Sequence, residues 1–78
     1  MKNTTPVFIH TPYIKLDQLL KFESIIETGG QIKFLLEESQ ILVNGEVCTQ
    51  KRKKIYPGDV VTIEGVGSWQ VELEEAEE

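Results

Sequence analysis

Apolar positions at Leu16, Leu19 and Leu20, with Ile26 beyond them, recur at the spacing that places side chains on one side of a helix. Asp17 near the start suits the positive end of a helix dipole. The pattern predicts a first helix of about two turns running to Ser24. A second begins at Thr28-Gly29-Gly30-Gln31, which has the spacing of a capping box: the Thr28 hydroxyl can accept from the Gln31 amide while the Gln31 side chain reaches back to Thr28. Ile32, Leu35 and Leu36 then share one side, Lys33 and Glu37 lie on another, and Ser39 and Gln40 end the segment. A short turn joins the two helices.

From residue 41 the period changes. Ile41-Leu42-Val43, Asn44-Gly45 and Glu46-Val47-Cys48 predict a hairpin, because a type I′ turn needs positive φ at both central positions and Asn-Gly supplies it at little cost. Tyr56-Pro57-Gly58-Asp59 has the composition of a type II turn, and residues 60–64 follow as a strand. Beyond Gly65 and Gly67, Trp69, Val71 and Leu73 alternate with polar residues as the inward face of another strand. Upstream, Val7, Phe8 and Ile9 predict a short strand between Pro6 and Pro12, after a polar start expected to be mobile. Strand, helix, helix and then strands make an α+β domain.

Seventy-eight residues, 40% of them hydrophobic and 27% charged, suit one folded domain. The chain divides into residues 1–13, an N-terminal segment with a short strand; residues 14–73, a single domain; and residues 74–78, an acidic tail expected to be disordered. No run approaches the roughly 18 apolar residues of a membrane span, and Met1-Lys2-Asn3 is not followed by an apolar signal core, so a cytoplasmic protein with no membrane partner is expected.

The formal charge of −5 opposes a nucleic-acid partner until its distribution is considered. Five of the thirteen acidic groups are Glu72, Glu74, Glu75, Glu77 and Glu78, so residues 1–71 are neutral overall. Within them Lys51, Arg52, Lys53 and Lys54 are consecutive and form a local positive patch, which Lys33 could join on one surface.

With one histidine, His10, and one cysteine, Cys48, the chain offers neither a metal site nor a nucleophile with a partner base; no enzyme and no cofactor are expected. His10 is read as a surface or strand-end residue and Cys48 as a buried structural thiol. Gly29 and Gly30 would leave helix-start amides open to a phosphate, or else allow close helix packing. Phe22, Phe34 and Trp69 are placed in the core by default, which leaves Tyr13 and Tyr56 as the aromatics able to stack on a base.

Taken together, Leu16-Asp17-Gln18-Leu19-Leu20, Thr28-Gly29-Gly30-Gln31-Ile32-Lys33, Val43-Asn44-Gly45-Glu46 and Tyr56-Pro57-Gly58-Asp59-Val60-Val61 resemble the RNA-binding domain named after ribosomal small-subunit protein S-four, the alpha-L motif. The resemblance covers residues 14–65, about two thirds of the chain. More closely, the helix entry and the Lys-Arg-Lys-Lys run look like those of small stand-alone bacterial members of the YaaA kind. What this implies is a helix-turn-helix-like pair packed on a small, mainly antiparallel sheet of three to five short strands. It also implies binding of structured ribosomal or transfer RNA through Thr28, Gly29, Gly30, Gln31 and Lys33 and through Lys51, Arg52, Lys53 and Lys54. Many members carry arginine where Gly29 stands and a basic residue where Leu42 stands.

The expected function is therefore a non-enzymatic RNA-binding protein. The alternative is an interaction adaptor whose acidic tail docks on a basic partner such as a ribosomal protein. A ubiquitin-like sulfur carrier is opposed by the final Glu77-Glu78, since such carriers end in Gly-Gly. Oligomeric state is not legible.

Overall fold

The computed structural model describes residues 4–74. Its elements are β1 (Thr4–Ile9), β2 (Ile14–Lys15), α1 (Leu16–Phe22), α2 (Gly29–Glu37), β3 (Ile41–Val43), β4 (Glu46–Val47), β5 (Lys54–Ile55), β6 (Val60–Ile63) and β7 (Gly67–Leu73). Five strands form one sheet in the order β1-β7-β6-β3-β4, and β2 and β5 form a second, two-stranded one. All pairings are antiparallel except β1 with β7, which run parallel. The expected α+β architecture, two helices on a mainly antiparallel sheet, is what forms.

One face of the large sheet is apolar by alternation. Val7 and Ile9 of β1, Val71 of β7, Val61 and Ile63 of β6 and Ile41 and Val43 of β3 are buried together with Leu16, Leu19, Leu20, Ile26 and Ile32 from the helices and their linker. Ile55 of the small sheet joins the same cluster. On the other face the hydroxyls of Thr62 and Ser68, opposite one another on β6 and β7, are 3.0 Å apart.

Both helices are stopped by the same device. The N–H of Ser24 donates to Lys21 and that of Ile25 to Leu20; likewise Ser39 donates to Leu36 and Gln40 to Leu35. This is the Schellman pattern, with serine in the left-handed position that glycine usually fills, at φ 60° and 57°. The first helix therefore ends at Phe22, two residues short of the expected Ser24.

Several other expectations are corrected. β1 begins at Thr4 rather than Val7, and Pro6 sits within it opposite Gln70. Proline is tolerated because β1 is an edge strand, where a missing N–H can face outward. Residues 1–3 of the expected mobile start, and residues 75–78 of the expected disordered tail, lie outside the described residues; Glu74 continues the ladder by donating its N–H to Ile9. Leu73, read as inward-facing, is 50% exposed, because it is the last residue of β7 and lies past the layer that covers Val71. Phe22 and Phe34, read as core, are 64% and 59% exposed. Each falls off its helix's stripe: 16, 19 and 20 define one, 32, 35 and 36 the other, and position 34 is nearly opposite 32. Trp69 is half-buried against the core, and Cys48 is buried.

The two predicted turns are locked to each other. Asn44 and Gly45 both have positive φ, 54° and 86°, as a type I′ turn requires, and Gly58 has φ 97° at the third position of the Tyr56–Asp59 turn. Across the gap between the turns, the Asn44 Nδ2 donates to Asp59 Oδ1 at 3.0 Å, and its Oδ1 accepts from the Val60 N–H at 2.9 Å. The other Asp59 oxygen accepts from the Tyr56 N–H at 2.8 Å.

Replacing Asn44 with glycine keeps the backbone conformation and removes both side-chain bonds, which should cost roughly 1–2 kcal/mol. Asn44→Ala should cost about 1 kcal/mol more, because alanine also resists the left-handed region. Equal urea midpoints for the two variants would show that the side-chain bridge carries the whole effect and the left-handed conformation none of it.

Candidate functional site

The run from residue 51 to residue 54 does not stand alone. It crosses from the hairpin to β5 through a turn at Lys51 and Arg52, closed by the Lys53 N–H on the Gln50 carbonyl. The Lys53 carbonyl then accepts from the Leu16 N–H at 2.8 Å, which pins the run to the first residue of α1. Pairing of β5 with β2 puts Ile55 opposite Ile14 and Lys54 opposite Lys15. The isoleucine pair faces the core, so alternation turns the two lysines outward, side by side.

Lys15 thus joins the basic cluster, and sequence reasoning missed it. Nothing local marks it, because a two-residue strand has no period to read, and its relation to Lys54 exists only through a pairing that spans 39 positions of the chain. Like charges directly opposite on an antiparallel pair oppose folding. Lys51, Arg52 and Lys54 are exposed and Lys53 is partly so. The nearby carboxylate of Asp17, whose side chain is only 15% exposed, lies 3.9 Å from the largely exposed Arg52 guanidinium, a long contact that offsets at most one of the five charges. The cluster therefore keeps its positive charge.

Two tyrosines border it. Tyr13, just before β2, and Tyr56, just after β5, bring their rings to 5.7 Å between centroids, tilted by 51°. The Lys54 ammonium lies 5.0 Å from the centre of the Tyr13 ring.

The α2 entry is built differently. Gln31 Oε1 accepts from the N–H of Thr28 at 3.1 Å and also from that of Glu27. Thr28 faces the Gln31 amide across the box, and that N–H donates to the Thr28 carbonyl at 3.2 Å. The same reach-back opens α1, where the Gln18 side chain accepts from the Lys15 N–H at 3.3 Å. Thr28, Gly30 and Gln31 line a cleft of about 380 Å³ whose other walls include Ile25, Phe34 and Val66 and, among the described residues, no lysine or arginine. Lys33 is exposed on the following turn. Of the nine residues singled out in the sequence, Thr28, Gly30 and Gln31 thus line an apolar-walled entry and Lys51, Arg52, Lys53 and Lys54 form a basic cluster, and no hydrogen bond or ion pair joins the two among the described residues.

Gly30 allows a choice between its two sequence readings. A Cβ placed there would meet only the Thr28 hydroxyl, at 3.8 Å, an ordinary contact. Close helix packing does not require this glycine. His10 is a surface residue as expected, with Nε2 3.1 Å from a Glu74 oxygen.

A family model described as the S4 domain matches residues 7–72. The chain belongs to the S4 domain family. It is 47% identical over 66 residues to a Bacillus subtilis protein named "Probable ribosome maturation protein RlbA", covering 85% of this chain and 93% of that one. Against YbcJ of Escherichia coli it is 43% identical over 54 residues, 69% of this chain and 77% of the relative. The solution structure of YbcJ, described as revealing an alpha-L motif involved in RNA binding, superposes with a TM-score of 0.67 at 38% identity, covering 92% of this chain and 91% of that one.

Within this S4 domain, Lys15→Glu replaces a repelling cross-strand pair with an attracting one and should raise stability by roughly 0.2–1 kcal/mol at low ionic strength. The gain should shrink in molar salt; an unchanged melting temperature at low salt would mean that the two ammonium groups do not oppose each other. Gly30→Ala should raise the melting temperature, because alanine is the better helix former by up to about 1 kcal/mol. A drop would restore the packing role.

Proposed function

We propose that this chain is a non-enzymatic RNA-binding protein that holds structured ribosomal or transfer RNA on its basic cluster, with the α2 entry fixing orientation. The observation that carries this reading is the opposed Lys15–Lys54 pair, extended by Lys51, Arg52 and Lys53. Five cations gathered on one small sheet and the turn leading into it, with Asp17 at 3.9 Å from Arg52 as their one ion-pair partner among the described residues, oppose folding and suit a polyanion. Membership of the S4 domain family supports RNA as that polyanion, and the naming of a close relative for ribosome maturation supports ribosomal RNA.

The geometry supports a division of labour. Flexible ammonium groups suit phosphates and position the RNA without reading its sequence. At the α2 entry the Gln31 side chain is already engaged by backbone N–H groups, so RNA contacts there fall to Thr28 and to the backbone at Gly29 and Gly30. Lys33, one turn further on, can take the adjoining phosphate.

The cleanest probe is the double variant Lys51→Ala, Arg52→Ala, which leaves the β5 pairing untouched. Its affinity for ribosomal RNA fragments should fall for all sequences alike, and the slope of log affinity against log salt should flatten by roughly 0.7–0.9 for each phosphate that the variant no longer neutralises. An unchanged slope rules out the cluster as the RNA surface. In the same assay Gly30→Ala should weaken binding although it stabilises the fold; unaltered affinity would remove the α2 entry from the interface.

A further inference from the structure

We propose that Tyr13, Tyr56 and Lys54 form a binding site for a single unpaired RNA base, beside the cations that hold the phosphates. This inference rests on the RNA-binding reading above and adds what class of RNA feature the surface selects.

Position argues for it first. Tyr56 is 47% exposed, yet its backbone is fixed: its N–H donates to Asp59 Oδ2, its carbonyl accepts from the Asp59 N–H at 2.9 Å, and Gly58 of the same turn donates to Val71 at 2.7 Å. An exposed ring on a rigid turn loses little conformational entropy when a ligand covers it. Tyr13 backs it at 5.7 Å and holds the Lys54 ammonium against its own ring, so a cation and two aromatic rings lie within one small area.

Chemistry argues for it next. Cations alone hold paired and unpaired RNA through phosphates, whereas an aromatic ring gains from a base only when that base has left its stack. Bases stack on rings whatever their identity, and a neighbouring cation strengthens the contact. Residues 51–54 are separated from Tyr56 only by the buried Ile55, so a strand whose phosphates lie on the run brings an extruded base to the rings. Asp59, the acidic residue of the Tyr56 turn, already has both oxygens engaged, by the Tyr56 N–H and the Asn44 amide. If the rings served only to pack on each other, binding would be indifferent to the base.

The test uses three labelled RNA hairpins: fully paired, with a one-nucleotide bulge, and with an abasic ribose at that bulge. The protein should bind the bulged hairpin roughly 5- to 100-fold more tightly than the other two. Tyr56→Phe should keep that preference and Tyr56→Ala should abolish it, with binding of the paired hairpin unchanged. A 4-thiouridine at the bulge should cross-link to Tyr13 or Tyr56 in the unmodified protein, a readout independent of whether the alanine variant folds. Equal affinity for the bulged and abasic hairpins, or cross-links confined to other residues, overturns the base site while the salt-dependent binding of the paired hairpin leaves the RNA reading standing. Loss of salt-dependent binding to all three hairpins overturns both.

Discussion

The Asn44–Asp59 bridge is the interaction on which the rest of the site depends. It joins two turns 15 positions apart and closes the base of everything between them: β4, the chain that follows it, the basic run and β5. A segment with so little regular structure cannot hold four adjacent positive charges in place by itself. Three ties do so together. The bridge fixes its ends, the Lys53 carbonyl on the Leu16 amide fixes its middle to α1, and Ile55 in the core fixes β5 beneath the exposed lysines. Register of β3 against β6, and hence the apolar face under the helices, passes through the same residues, since the Asn44 N–H also donates to the Val60 carbonyl at 2.7 Å.

Much of this is legible in the sequence because it is local. Asn44-Gly45 and Tyr56-Pro57-Gly58-Asp59 name their own backbone geometry, and Thr28 with Gln31 names a helix start, since each signal needs only neighbours a few residues away. What escapes is either distant or judged by residue type. The β2–β5 pair, and with it Lys15, depends on contact between segments that carry no periodicity. Phe22 and Phe34 read as inward because phenylalanine usually is, although the helical stripes on either side already exclude them. Leu73 follows the alternation of its strand but not the extent of the layer above it.

Charge shows how stability and function pull apart. A chain of net charge −5 gathers its cations where they repel one another, at the Lys15–Lys54 pair and along the run, and among the described residues they meet a single long carboxylate contact. Like charges set side by side in this way work against folding, and an anion that neutralises them relieves the repulsion. The apolar-walled α2 entry carries no such strain.

The parallel pairing of β1 with β7 bears on how the chain reaches this structure. Hairpins and the helix pair close over short stretches, but Val7 meets Val71 only after nearly all of the intervening chain has been ordered or looped out. Loop-closure entropy makes this the costliest contact to nucleate, and it raises the contact order of a domain otherwise built from neighbours. During synthesis β1 is made before every other strand described and waits longest for its partner. Until Leu73 has been added, the buried side chains of Val7 and Ile9 have no completed sheet to enter.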